Sequence, residues 1–236
     1  MSHFTVPNGC SQIKLVDSFD ALMTTPLAFG VNALCWQREL SGDFGEVLEL
    51  LAVGDGITSL EDEDLEGLPV SAAGRMAVEL LLEDLRLLRG HGLSPVLDCV
   101  NGYLRDAAPG PVPTDVYSFH ADSATAEADT FLCTYHGASS EGLRNDEAQR
   151  RVDIPTTRAE LLKLYGGCDD EGFRAFLSEN CFDLHYMPTG KAEPFVFGVG
   201  NLWRIAVAYP GCPVPPCIHR APETSPGDPV RLLLIS

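Results

Sequence analysis

Ser94-Pro95-Val96-Leu97-Asp98-Cys99-Val100 is where the texture of this 236-residue chain changes. From there on, short apolar runs alternate with Pro and Gly. Residues 95–100, 116–119, 130–135, 182–186, 195–197, 203–209 and 230–235 each have the length and the β-branched or aromatic content of a strand. Helical patterns do not alternate regularly with these runs, so parallel α/β winding is disfavoured and a barrel or sandwich is expected. Upstream the pattern is helical. Asp43 precedes Phe44, Val47, Leu48 and Leu51 at helical spacing, and Ser71 can cap a second helix carrying Met76, Leu80, Leu81, Leu85 and Leu88. Gly90 and Gly92 stop that helix. Such stripes cannot be buried alone, so residues 1–93 are expected to be a mainly helical region packed on the sheets of residues 94–236. One interruption is expected at about 138–180, where Thr156 to Tyr165 and a stretch capped by Asp169-Asp170 read as two short helices.

The composition, 45% hydrophobic and 8% aromatic, is enough for a real core. Sixteen basic residues against 34 acidic ones leave a formal charge of −18, which repels phosphate backbones and anionic lipid surfaces. Neither a nucleic acid nor a membrane is therefore an expected partner. Residues 39–74 hold ten carboxylates and no Lys or Arg, which reads as a solvated acidic stretch. No basic segment followed by an apolar one opens the sequence, and no apolar run reaches the length of a membrane span. A cytoplasmic location is expected. The eight dispersed cysteines then read as mostly free thiols, Cys212 and Cys217 as loop thiols.

Chance alone supplies about one His-x-Asp or His-x-Glu in a chain with six histidines and 34 carboxylates. The match at His120-Ala121-Asp122 gains weight from its place at the end of a strand-like run, where alternation turns both side chains to one face. His219 stands before another apolar strand, and strands distant in sequence become neighbours in a barrel. Two imidazoles and a carboxylate with open positions are the ligand set of non-haem Fe(II) oxygenases. Arg231 lies inside Val230-Arg231-Leu232-Leu233-Leu234-Ile235, whose alternating faces are otherwise apolar. A guanidinium there is at least partly buried and needs an anion, from a structural carboxylate or from a bound dicarboxylate.

The order His-x-Asp, long spacer, His and then Arg resembles that of the Fe(II)/2-oxoglutarate-dependent oxygenases of double-stranded β-helix fold. The resemblance implies a mainly β, α+β chain with a jelly-roll or cupin-like barrel and a site in which His120, Asp122 and His219 hold Fe(II). It implies Arg231 as the clamp on the far carboxylate of the co-substrate 2-oxoglutarate, with Asn101 or Tyr103 against the same molecule. Dioxygen and a small-molecule substrate complete the reaction, and the presence of Asp122 favours hydroxylation or a related oxidation over halogenation. A narrower resemblance covers residue 30 onward. Gly30-Val31-Asn32-Ala33-Leu34-Cys35-Trp36-Gln37-Arg38, Phe119-His120-Ala121-Asp122, Leu132-Cys133-Thr134-Tyr135-His136-Gly137 and Ile218-His219-Arg220-Ala221-Pro222 are similar to an uncharacterised bacterial family of unknown function.

Two alternatives stay open: a cupin-type metal enzyme that does without 2-oxoglutarate, and a non-catalytic zinc-binding protein. His136 and His185 are spare candidates for metal or acid-base work. Arg144, Arg150 and Arg151 could meet an anionic group, a solvated helix face being the plainer reading. Gly198-Val199-Gly200-Asn201 lacks the third glycine of a dinucleotide fingerprint and reads as a turn. No Gly-x-Ser-x-Gly elbow is present, and a Cys217/His219 nucleophile pair is disfavoured by the surrounding prolines.

Overall fold

A computed structural model describes residues 4–105, 110–225 and 227–236. The strands of its first half are β1 (Ile13–Val16), β2 (Ala33–Trp36), β3 (Gly56–Leu60) and β4 (Val96–Asn101). Those of the second half are β5 (Asp129–His136), β6 (Glu141–Leu143), β7 (Ala148–Arg150), β8 (Tyr186–Pro188), β9 (Phe195–Val196), β10 (Leu202–Ala206), β11 (Ile218–Arg220) and β12 (Arg231–Ile235). The helices are α1 (Phe19–Thr24), α2 (Phe44–Leu51), α3 (Asp62–Glu66), α4 (Ala72–Gly90), α5 (Pro155–Tyr165) and α6 (Glu171–Glu179).

The chain is a mixture of helix and strand with several sheets. A seven-stranded sheet runs β1-β2-β10-β5-β12-β4-β3, a three-stranded sheet runs β11-β6-β9, and β7 pairs with β8. Among the described strand pairs β1–β2 is parallel and the others are antiparallel. The small sheet is extended at its β11 edge, where His120 bridges His219 on one side and His185 on the other. Reciprocal 2.9 Å backbone bonds join His120 to His219. Among the described residues these sheets do not close into a barrel.

Alternation along the strands explains why the large sheet is buried on both faces. In β12, Leu232 and Leu234 enter the core made with Phe44, Val47, Leu81, Leu85 and Leu88 of the helices. Leu233 points the other way, into a second core with Trp203, Phe195, Phe197 and Cys217 between the two sheets. Arg231, two residues before Leu233, therefore faces the space between the sheets. Side chains cap several helices: Ser18 accepts from Ala21 N, Asp43 from Glu46 N, Ser71 from Gly74 N, and Asp170 from Phe173 N. Gly166 ends α5 at φ +75°.

Several expectations need correction. The region before residue 94 supplies three strands of the large sheet as well as four helices. Residues 116–119 form a turn rather than a strand, because the Asp115 carboxylate accepts from the amides of Tyr117 and Ser118 at 3.1 and 3.2 Å and tightens the backbone locally. Phe182–Leu184 is a 3₁₀ turn entered from Cys181 at φ +56°, and the strand begins only at Tyr186. The interruption at 138–180 contains β6 and β7 before its two helices. Met76 is exposed, while Leu81, Leu85 and Leu88 carry the buried stripe.

Gly137 ends β5 at φ +79°, and a Cβ there would stand 2.9 Å from the Val230 carbonyl and 3.1 Å from Arg231 Cα. Its missing side chain lets the chain turn against the root of Arg231. Gly137→Ala is expected to lower stability by roughly 1–3 kcal/mol, through strain and overpacking together, measured as a fall in the urea midpoint at unchanged slope.

Candidate metal centre

The Asp115 turn delivers His120 to the edge of the small sheet. There His120 Nδ1 lies 2.8 Å from the Ser118 carbonyl. A carbonyl only accepts, so Nδ1 carries the proton and the Nε2 lone pair is left for a ligand. Asp122 follows two residues later on the same side, and its Oδ2 accepts a 2.6 Å hydrogen bond from the Thr130 hydroxyl of β5. His219, at the centre of β11, completes the group. His120 Nε2 is 3.9 Å from Asp122 Oδ1, and His219 Nε2 is 3.8 Å from Asp122 Oδ2. The two imidazole centroids are 4.7 Å apart, and one ligand atom from each of the three residues falls within 4.8 Å of the others. Donors bound to one ion at about 2.1 Å lie at most about 4.2 Å apart, so a small contraction brings all three into range.

The electrostatics favour a cation. Burial, with His219 beside it, pushes the His120 imidazole down to about 4, so it is neutral at pH 7 with a free lone pair. Burial works against the Asp122 charge, yet His219 and the Thr130 hydroxyl outweigh it and hold the carboxyl below its usual value. Two imidazoles and one carboxylate, with a carbonyl and a hydroxyl fixing two of them, suit a borderline divalent metal such as iron or zinc.

Arg231 is 1% exposed. Its Nη1 donates to the Tyr103 hydroxyl at 2.8 Å and its Nη2 to the Ser140 hydroxyl at 3.2 Å, and its Nε is buried with no hydrogen-bond partner. No carboxylate pairs with it among the described residues. Burial accordingly depresses the guanidinium below its ordinary value, and Tyr103 only partly offsets this. His219 opens on the same inter-sheet space, its ring 6.5 Å from that of Phe197.

Tyr103 thus bonds Arg231 directly, and Asn101 lines the cavity beside Tyr103. Asn101 shares strand parity with Leu97 and Cys99, which face the helix side, and its amide donates to the Gly54 carbonyl at 3.2 Å and toward Asp55 at 3.4 Å. A cavity of about 550 Å³ lies beside Tyr103, walled by Tyr117, Arg105 and Thr224 among others. A smaller one of about 220 Å³ opens on His120, Asp122 and His185. His136 is tied through Nδ1 to the Val230 carbonyl at 2.9 Å. All eight cysteines are free, and burial pushes Cys35, Cys99 and Cys133 up to about 12 and Cys217 higher still, which leaves these thiols as packing groups. No helix among the described residues is long and apolar enough to cross a membrane. Comparison with known proteins returns no matching family model, no matching curated protein and no matching solved structure.

Proposed function

We propose that this chain is a non-haem Fe(II) and 2-oxoglutarate-dependent oxygenase that hydroxylates, or otherwise oxidises, a small molecule. The observation that carries the reading is Arg231. A fully buried guanidinium with only two hydroxyls for partners is unfavourable in the free protein, and a dicarboxylate whose far end meets its fork removes that penalty. Of the three donors His219 borders the same inter-sheet space, its ring 6.5 Å from Phe197, so the near end of such a molecule would have a metal ligand to approach.

Strand order supports the jelly-roll form of the fold. Counting β4, the segment at His120, β5, β6, β9, β10, β11 and β12 as one to eight, the large sheet contains 1-8-3-6 and the small sheet 2-7-4-5. This is the interleaving of two Greek keys. His120, Asp122 and His219 would hold iron(II), which would supply dioxygen activation. The chain's own residues do the placing. Arg231 and Tyr103 fix the far carboxylate of 2-oxoglutarate, Thr130 and the Ser118 carbonyl aim two of the ligands, and Phe197 screens the centre from water. In the overall reaction one oxygen atom of O2 enters a substrate C–H bond and the other enters succinate, with CO2 released.

Arg231→Met tests the reading. It is expected to leave iron(II) affinity within a few-fold of wild type while weakening 2-oxoglutarate about a hundredfold, the scale for losing a desolvated charge partner. The unfolding midpoint of the ligand-free variant should not fall, because an uncompensated buried cation has been removed. Anaerobic titration followed by the visible charge-transfer band measures both affinities. Iron binding without that band in wild type would favour the cupin-type alternative. Stoichiometric zinc with no oxygen uptake would favour the zinc-binding one.

A further inference from the structure

We infer that the small molecule oxidised at this centre carries a carboxylate or phosphate group, and that Arg151 binds it. The placement relative to a metal rests on the reading just proposed, while the existence of an anion site does not. Three arginines cluster between residues 144 and 151, and the fold treats them differently. Arg144 pairs with Asp146 at 2.6 Å and approaches Glu147 at 3.7 Å, and Arg150 pairs with Asp153 at 2.9 Å. Arg151 has no carboxylate partner among the described residues, and its Nε is closed off from solvent without a hydrogen bond. In a chain where carboxylates outnumber Lys and Arg 34 to 16, a half-buried arginine with no carboxylate partner among the described residues is suited to receive an anion from outside. Burial alone shifts the guanidinium, downward, with no neighbouring charge to compensate.

Position supplies the second argument. The β7–β8 register pairs Arg150 with Tyr186, and the next step places Arg151 opposite His185, its amide donating to the His185 carbonyl at 2.9 Å. His185 bridges His120, which bridges His219. Directly opposed residues on neighbouring antiparallel strands project from the same face. His185, His120 and His219 therefore form one row on the face that carries the metal donors, and Arg151, first residue of the 3₁₀ turn that follows β7, adjoins the end of that row through its backbone bond to His185. Two strand spacings, roughly 10 Å, separate Arg151 from His120. A molecule anchored by its anionic end at Arg151 has its body lying along the row toward the metal centre. The 220 Å³ cavity on His120, Asp122 and His185 is smaller than the roughly 300 Å³ at which drug-sized pockets begin, which points to a small acid.

The test is calorimetric titration of the metal-free full chain with benzoate, with phenylphosphonate, and with benzyl alcohol as neutral control. An Arg231→Met background removes the other buried guanidinium that lacks a carboxylate partner among the described residues. Both anions are expected to bind more tightly than the alcohol, at least tenfold more weakly in Arg151→Gln, and unchanged in Arg150→Gln; the tighter anion identifies the head group. Should Arg151→Gln fail to fold, Arg151→Lys, which keeps the charge, is expected to retain binding within about tenfold. Equal affinity in wild type and Arg151→Gln, no binding at millimolar concentration, or equal binding of the alcohol would overturn the assignment. Manganese(II) then reports placement, through faster proton relaxation of the bound aromatic ring. Manganese that binds without this effect overturns the placement. Manganese that does not bind counts against the metal centre itself, and leaves the calorimetric result to decide the anion site alone.

Discussion

Asp122→Ala is expected to weaken iron(II) binding by roughly a hundredfold or more, beyond the 10–100-fold typical of losing an outer-shell partner. Asp122 is the one formal negative charge in the donor group and stands between the two imidazoles, within 3.9 Å of each Nε2. Without it two imidazole nitrogens remain, too few to hold a catalytic metal against buffer ligands. Thr130→Val should give a smaller loss, about tenfold, because it frees the carboxylate's orientation but keeps its charge. Competition with a chelator under anaerobic conditions measures both. Wild-type affinity in Asp122→Ala would remove this group as the metal centre.

Asp84→Ala is expected to reduce stability by about 3–5 kcal/mol, the range for stranding a buried ion-pair partner. Asp84 of α4 is 3% exposed. It accepts two bonds from Arg38 at 2.7 and 2.8 Å and a third from the Tyr135 hydroxyl at 2.7 Å. Arg38 also donates to the Gly200 carbonyl at 3.0 Å and stacks over Trp36 at 4.7 Å. One carboxylate thus ties α4 to β2, β5 and the turn before β10. Against a total stability of about 5–15 kcal/mol for a typical domain, its loss should bring the urea midpoint down by a large fraction. Arg38→Met combined with Asp84→Leu should recover most of the loss, since charge and counter-charge leave together. A single variant that loses under about 1 kcal/mol would show that the pair is dispensable.

The parts of this architecture readable from sequence are those decided by local chemistry or by alternation. Asp43, Ser71 and Asp170 announce helix starts because a short acceptor before an apolar stripe satisfies the first free amides. Arg231 is legible as buried because both faces of its strand are otherwise apolar. The error at residues 116–119 has a definite cause: Val, Tyr and Phe favour strand, and one Asp side chain bonding two amides overrides them. Thr130 and Ser140, which orient Asp122 and Arg231, carry no local signal. Their roles come from which strands become neighbours, and a single sequence does not print that register.

The place of β12 has a consequence for how the chain matures. It lies between β4 and β5 and pairs with both, yet it is made after every other strand of the large sheet. During synthesis β4 and β5 stay separated, each with an open edge and an apolar face, until β12 arrives to join them. Long-range pairing of this kind folds slowly, and open edges in the meantime invite pairing with other chains. The seam that completes the sheet is also the one that brings in Arg231, so the inter-sheet space gains its guanidinium only when the sheet closes.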